Sequence, residues 1–188
     1  ERLGISAAGA LADMLAARER GIIFDIGHGM GSFDFSVART MIAEGFAPDV
    51  ISSDLHLFCA DGPAFDLLTC MSKLLVLGMP LVDVVRAVTE RPAAAIGRSE
   101  LGTLSVGSPG DASVLKLKPG RFTYTDVTGE IVEGKERLVS QGIVVGGSWW
   151  PNEPAESAPD LGGFTHHHHE MHADVVAQHF GPMRHDER

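Results

Sequence analysis

The sequence lacks any apolar run near the roughly 18 residues that cross a bilayer. Its longest candidate, residues 74–81, is broken by Gly78 and Pro80. A membrane partner is therefore not expected. The first residues, ERLGISAAGA, lack the basic-then-apolar order of a secretory signal. They also lack an initiator methionine, which fits a segment of a longer chain. Basic residues are few: 15 Lys and Arg face 25 Asp and Glu, for a net charge of −10. Nothing here draws nucleic acid electrostatically. Cysteine is nearly absent. Cys59 and Cys70 stand in no metal or redox motif, as expected for two reduced thiols in a cytoplasmic protein.

What is present is 44% hydrophobic and 21% charged over 188 residues, enough for a globular domain with a substantial core. Three regions differ in character. Residues 1–97 alternate helix and strand signals. Ser6 can cap a helix through AAGALADMLAARER, which Gly21 ends. IIFDI reads as a buried strand, and FDFSVARTMIAEG as a helix capped by Ser32 or Asp34 and ended by Gly45. DVISS is a second strand, followed by a loop over residues 54–65. Asp66 then opens a helix through LLTCMSKLLVLG, LVDVVRAVTE forms another, and Pro92 begins the short turn PAAAIG. This order implies an α/β fold with parallel, neighbouring strands.

Residues 98–150 are richer in Gly, Pro and Thr and carry three β-rich runs, ASVLKL, FTYTDV and RLVSQGIVVGG. They predict a small β domain. Residues 151–188 hold seven of the nine histidines and four of the ten prolines, a composition expected of an acidic, mostly disordered tail. HHHHEMH within it could bind a metal, but such tracts are more often unstructured.

The stretch FDIGHGMGSF, residues 24–33, concentrates the chemistry. One reading is a cofactor cradle. A strand runs through Gly27, Gly29 and Gly31 into a helix N-terminus, where backbone N–H groups favour anions. Asp54 follows at about the distance at which an acid meets a ribose hydroxyl. The pattern D-x-G-x-G-x-G also resembles motif I of class I methyltransferases, which bind S-adenosylmethionine. The other reading is a hydrolase site at the C-terminal ends of barrel strands. His28 and Asp54 fall at consecutive strand ends and would face one pocket. An Asp there can ligate a divalent metal and accept a proton from a hydrolytic water. A His there can ligate, or polarise a substrate carbonyl. A methyltransferase sheet would continue with further strand–helix units, whereas only helix signals follow Asp54 as far as residue 97.

RERGIIFDIGHGMGSF, PDVISSDLH, DLLTCMSKLLVLGMPLVDVVRAVTERPAAAIG and GTLSVGSPGDASVL occur in this order. Over residues 15–150 the chain thus resembles the C-terminal part of the amidohydrolase superfamily, nearest its dihydroorotase-like deacetylase branch. The resemblance implies a metal-dependent hydrolase of amide (N-acyl) or cyclic amide bonds in a small molecule. It implies the last units of a β/α (TIM-type) barrel over residues 1–97, then a β-sandwich segment over 98–150. It implies zinc or another divalent metal, one or two ions in the full-length enzyme. Asp54 would be metal ligand and acid/base. His28 would fall on the seventh strand and contact substrate rather than metal. Gly29, His56 and Gly62 would line the substrate side, with backbone contacts around Pro63 and Ala64. Ser52 and Ser53 would support Asp54, and Asp25 would be a buried partner.

The superfamily's His-x-His pair, its bridging lysine and its two further histidines cannot be identified here. The chain is then expected to be inactive alone, to need a missing N-terminal barrel portion, and to expose a strand edge that invites association, including a homo-oligomer. A non-catalytic interaction module is the further alternative.

Overall fold

A computed structural model describes residues 7–152. The first helix, α1 (Ala7–Glu19), ends at Gly21, whose φ of +93° suits a residue without a side chain. The proposed Ser6 cap lies outside the described residues, as does all of the expected 151–188 tail but its first two residues, of which Pro151 belongs to a strand and not to a disordered tail. Strand β1 (Asp25–Gly27) is shorter than the IIFDI reading and begins three residues later. A strand exists only where it has a partner, and among the described residues β1 pairs in parallel with β2 (Val50–Ser52) alone, Asp25 opposite Val50 and Gly27 opposite Ser52. Ile22 and Ile23, expected in that strand, are half exposed.

Helix α2 (Phe35–Ala43) joins the two strands. Asp34 caps it, its carboxylate accepting from the Val37 amide at 2.9 Å, which resolves the choice between Ser32 and Asp34. Asp66 does the same for α3 (Leu67–Val76), accepting from the Thr69 amide at 2.6 Å. Each such cap contributes about 1 kcal/mol. The short helices α4 (Leu81–Val88) and α5 (Glu90–Ala95) follow, so PAAAIG continues a helix where a turn was expected.

The β region is one three-stranded antiparallel sheet in the order β3, β4, β5. ASVLKL and FTYTDV are not separate strands. They form a single strand, β3 (Ala112–Thr125), because a register shift between Pro119 and Phe122 lets the chain pass the proline without turning. Strand β4 (Ile131–Val145) answers it, and Gly146 and Gly147, at φ +56° and +77°, turn tightly into β5 (Ser148–Pro151), a strand the sequence reading missed.

The hairpin packs on the α/β part. Tyr124 and Leu138 enter the same buried cluster as Phe35, Ile51, Met71 and Leu74. The Leu138 amide donates to Ser72 Oγ at 3.1 Å. A Cβ at Gly134 would come within 2.7 Å of Val76, so only glycine lets β4 approach α3 this closely. With two parallel strands, the described residues form no closed barrel. No described helix is long and apolar enough to cross a membrane.

Candidate active site

Both singled-out polar residues follow the parallel strand pair. The Gly29 amide donates to Ser53 O at 2.9 Å, tying the two loops together just beyond the sheet. Asp54, in the left-handed region at φ +46°, lays its carboxylate over Gly29. A Cβ built there would stand 2.5 Å from Asp54 Oδ2. A Cβ built at Gly27 would meet the Asp54 Cβ only at 3.4 Å, close to ordinary contact. Gly29 therefore makes room for a neighbouring carboxylate, not for a nucleotide. Asp54 is exposed, and its carboxylate makes no hydrogen bond or ion pair with a described residue. Beneath its backbone lies buried Cys59, whose Sγ contacts Asp54 O at 3.5 Å.

His28 behaves differently. The two side chains do not face one pocket: His28 is 1% exposed and turned into the protein. Its ring stacks on Phe33 at 4.7 Å between centroids. Nδ1 lies 2.9 Å from Gly29 O and Nε2 lies 2.7 Å from Lys73 Nζ. Lys73, itself 1% exposed, donates also to Pro63 O and Thr125 O, each at 2.6 Å. An ammonium has three donors and no acceptor. His28 Nε2 must then accept, and Nδ1 carries the hydrogen donated to Gly29 O. Moving the Lys73 proton to the imidazole would keep every bond. It is disfavoured because burial lowers the His28 pKa from 6.5, whereas burial of Lys73 lowers it only to about 8.

The remaining candidates are scattered around this pair. His56 is exposed, its Nδ1 accepting from the Phe58 amide at 3.2 Å. Gly62, at φ +127°, faces the ring of Phe65. Ser52 Oγ donates to Asp25 Oδ2 at 2.6 Å across the strand pair, so the expected buried partner, Asp25, is instead an exposed one. An apolar groove of about 820 Å³ lies elsewhere: Leu68, Met71, Val85, Leu104, Leu115 and Ile143 line it, and none of the candidate residues does.

Two buried ionisable groups were missed in the sequence. Lys73 is the one charged residue between Asp66 and Asp83, a signal that could have marked it. Asp126, 3% exposed, accepts from the amides of Phe35, Thr128 and Glu130 and from Thr128 Oγ1, at 2.8–2.9 Å. D-V-T-G at a hairpin turn was the readable cue. Burial pushes the Asp126 carboxyl up, but these bonds outweigh it and hold the group below its ordinary value.

Residues 33–149 match the Amidohydrolase family. The chain belongs to that family. Asp54, His56, Gly62 and Lys73 fall inside the matched residues, whereas His28 and Gly29 precede them. The chain is 34% identical over 137 residues to a deacetylase of Enterococcus faecalis, covering 72% of this chain and 37% of that protein. It is 41% identical over 126 residues to a deacetylase of Agrobacterium fabrum, covering 67% of this chain and 31% of that protein. Among solved structures, an adenine deaminase superposes with a TM-score of 0.71 at 34% identity, over 73% of this chain and 38% of that one. A dihydroorotase gives 0.68 at 36% identity, over 78% and 42%. The amidohydrolase chain thus spans about a third of the length of these curated relatives. The methyltransferase reading finds no support: the family match runs through Asp54, and Gly29 is filled by that residue's own carboxylate.

Proposed function

We propose that the protein carrying this chain hydrolyses an amide C–N bond, an N-acyl group or a cyclic amide, in a small molecule. The observation that carries the reading is Asp54: an exposed carboxylate without a partner among the described residues, lying against Gly29 at a strand end inside the family-matched segment. Asp54 takes a proton from the attacking water on one carboxylate oxygen and returns it to the departing nitrogen. Its neighbours leave it free to do so, since no cation or hydrogen-bond donor among the described residues engages it. Gly29, His56 and Gly62 border the substrate side.

The donor chemistry at Asp54 fits a divalent metal, zinc by the family resemblance. A hard, exposed carboxylate oxygen with no competing partner among the described residues is a suitable ligand. No cluster of three or more His, Cys, Asp or Glu that could hold a metal occurs among the described residues. Asp54 would therefore be one ligand of a set completed by donors that these residues do not supply. When bound, the metal would polarise the scissile carbonyl and acidify water.

The test is hydrolysis of a panel of N-acyl amino acids and cyclic amides by the whole protein, followed by release of the amine. Activity should fall on chelation and return with zinc, and Asp54→Asn should remove it together with part of the bound zinc. A zinc-loaded wild-type protein that cleaves none of the panel would sink the reading.

A further inference from the structure

Lys73 and His28 form a buried pair that the proposed chemistry does not use. Lys73 sits on α3 and reaches three separate segments: Pro63 O in the loop after β2, Thr125 O at the end of β3, and His28 in the loop after β1. His28 passes the connection on. With Lys73 bound at Nε2, its Nδ1–H is directed at Gly29 O. Gly29 in turn donates to Ser53 O and supports the Asp54 carboxylate on its bare Cα. The rings of Phe33 and Phe35 lie within 6 Å of the ammonium, at 5.8 and 5.9 Å, and keep the charge dry and the ring fixed.

Burying an ammonium is costly unless every donor is engaged. A merely structural role at the centre of α3 would be served at lower cost by an apolar side chain such as those of its neighbours Met71 and Leu74. What Lys73 provides, and leucine could not, is one rigid point to which a loop, the hairpin and the glycine loop are all tied.

We propose that Lys73 and His28 are positioning residues that hold Gly29, and through it the Asp54 carboxylate, in place for proton transfer. The inference rests on the amide-hydrolase reading, and its test separates the two. Three variants of the whole protein are compared: Lys73→Met, His28→Gln and His28→Asn. Gln can still accept from Lys73 but has no donor at the Nδ1 position. Asn keeps a donor near Gly29 O but cannot reach Lys73.

Lys73→Met and His28→Gln should lower kcat about 10- to 100-fold with KM changed less than about threefold, as for groups that orient a reacting side chain. His28→Asn should retain more turnover than His28→Gln. In wild-type protein, imidazole 1H–15N correlation should show His28 protonated at Nδ1 and bare at Nε2 at neutral pH. In Lys73→Met the Gly29 amide resonance should shift. Should Lys73→Met fail to fold, His28→Gln and the wild-type spectrum decide alone. A doubly protonated or Nε2–H His28, or a folded His28→Gln with unchanged kcat, overturns the proposal. If no substrate is turned over by wild type, the hydrolase reading fails, and an unperturbed Gly29 amide in the folded His28→Gln variant then overturns the positioning role separately.

Discussion

The ends of β1 and β2 are in register, yet the chain does opposite things after each. Beyond Gly27, His28 turns inward, loses nearly all contact with solvent and has both ring nitrogens engaged. Beyond Ser52, Asp54 is exposed and its carboxylate has no bond to a described residue. A polar side chain whose every atom is engaged has no valence left for a substrate. One with none engaged at a strand end is available for chemistry. Under the proposed reading, the difference separates positioning from reaction within two adjacent loops.

The sharpest way to break this contrast is Asp54→Asn. Asn tolerates the left-handed backbone at φ +46°, and no described partner is lost. Turnover should fall by roughly 10²- to 10⁴-fold, the range for a general acid–base group. The thermal midpoint should stay near wild type, since exposed substitutions usually change stability by less than about 0.5 kcal/mol. A variant that loses activity only because it unfolds would erase the distinction.

Gly29→Ala comes next. Its methyl would press on Asp54 Oδ2 from 2.5 Å and strain the backbone at φ +49°. A displacement of about 1 Å at a reacting group can cost about 10²-fold in rate. Steady-state kinetics should therefore show a kcat loss of that order, with the fold retained by circular dichroism. Gly31 has nothing within 4 Å of a built Cβ, so Gly31→Ala is the matched control and should change kcat less than about threefold. A smaller effect follows at His56, where Nδ1 is used by the Phe58 amide and the rest of the ring is exposed. His56→Ala should raise KM by no more than about tenfold with kcat unchanged, the signature of lost uniform binding.

Much of this arrangement was legible before the structure. Caps marked the starts of α2 and α3, and glycines the ends of α1, α2 and α3, because capping is local chemistry written in three or four residues. The strand pair was legible because one helix-length connection forces parallel neighbours. Three things were not. The extent of β1 depends on which segment pairs with it, and sequence periodicity cannot see a partner. The union of ASVLKL with FTYTDV depends on a bulge absorbing Pro119, which in isolation reads as a break. The inward turn of His28 depends on Lys73, 45 residues away. A lysine in an apolar helix signals burial, but it does not name the acceptors that make burial tolerable.

Asp126 carries the comparison over to a second carboxylate and gives the smallest expected effect on catalysis. Asp54 has no partner among the described residues. Asp126 has four, and one of them, the Phe35 amide at 2.8 Å, clamps the hairpin tip to the start of α2. Asp126→Asn would set an amide N–H₂ against at least one of these donors, so stability should drop by about 1–3 kcal/mol at neutral pH while kcat stays near wild type. The pH dependence fixes the cause. The folded-state pKa lies below the ordinary 3.8, so as pH falls the unfolded chain takes up a proton at this site before the folded one does. The carboxylate's contribution is therefore complete above the unfolded value and is lost as pH falls through the folded value. Urea midpoints measured at pH 7 and pH 3 should show the gap between wild type and Asp126→Asn narrowing at the lower pH. An equal gap at both would mean that shape at the hairpin tip, and not the charge on Asp126, holds it against α2.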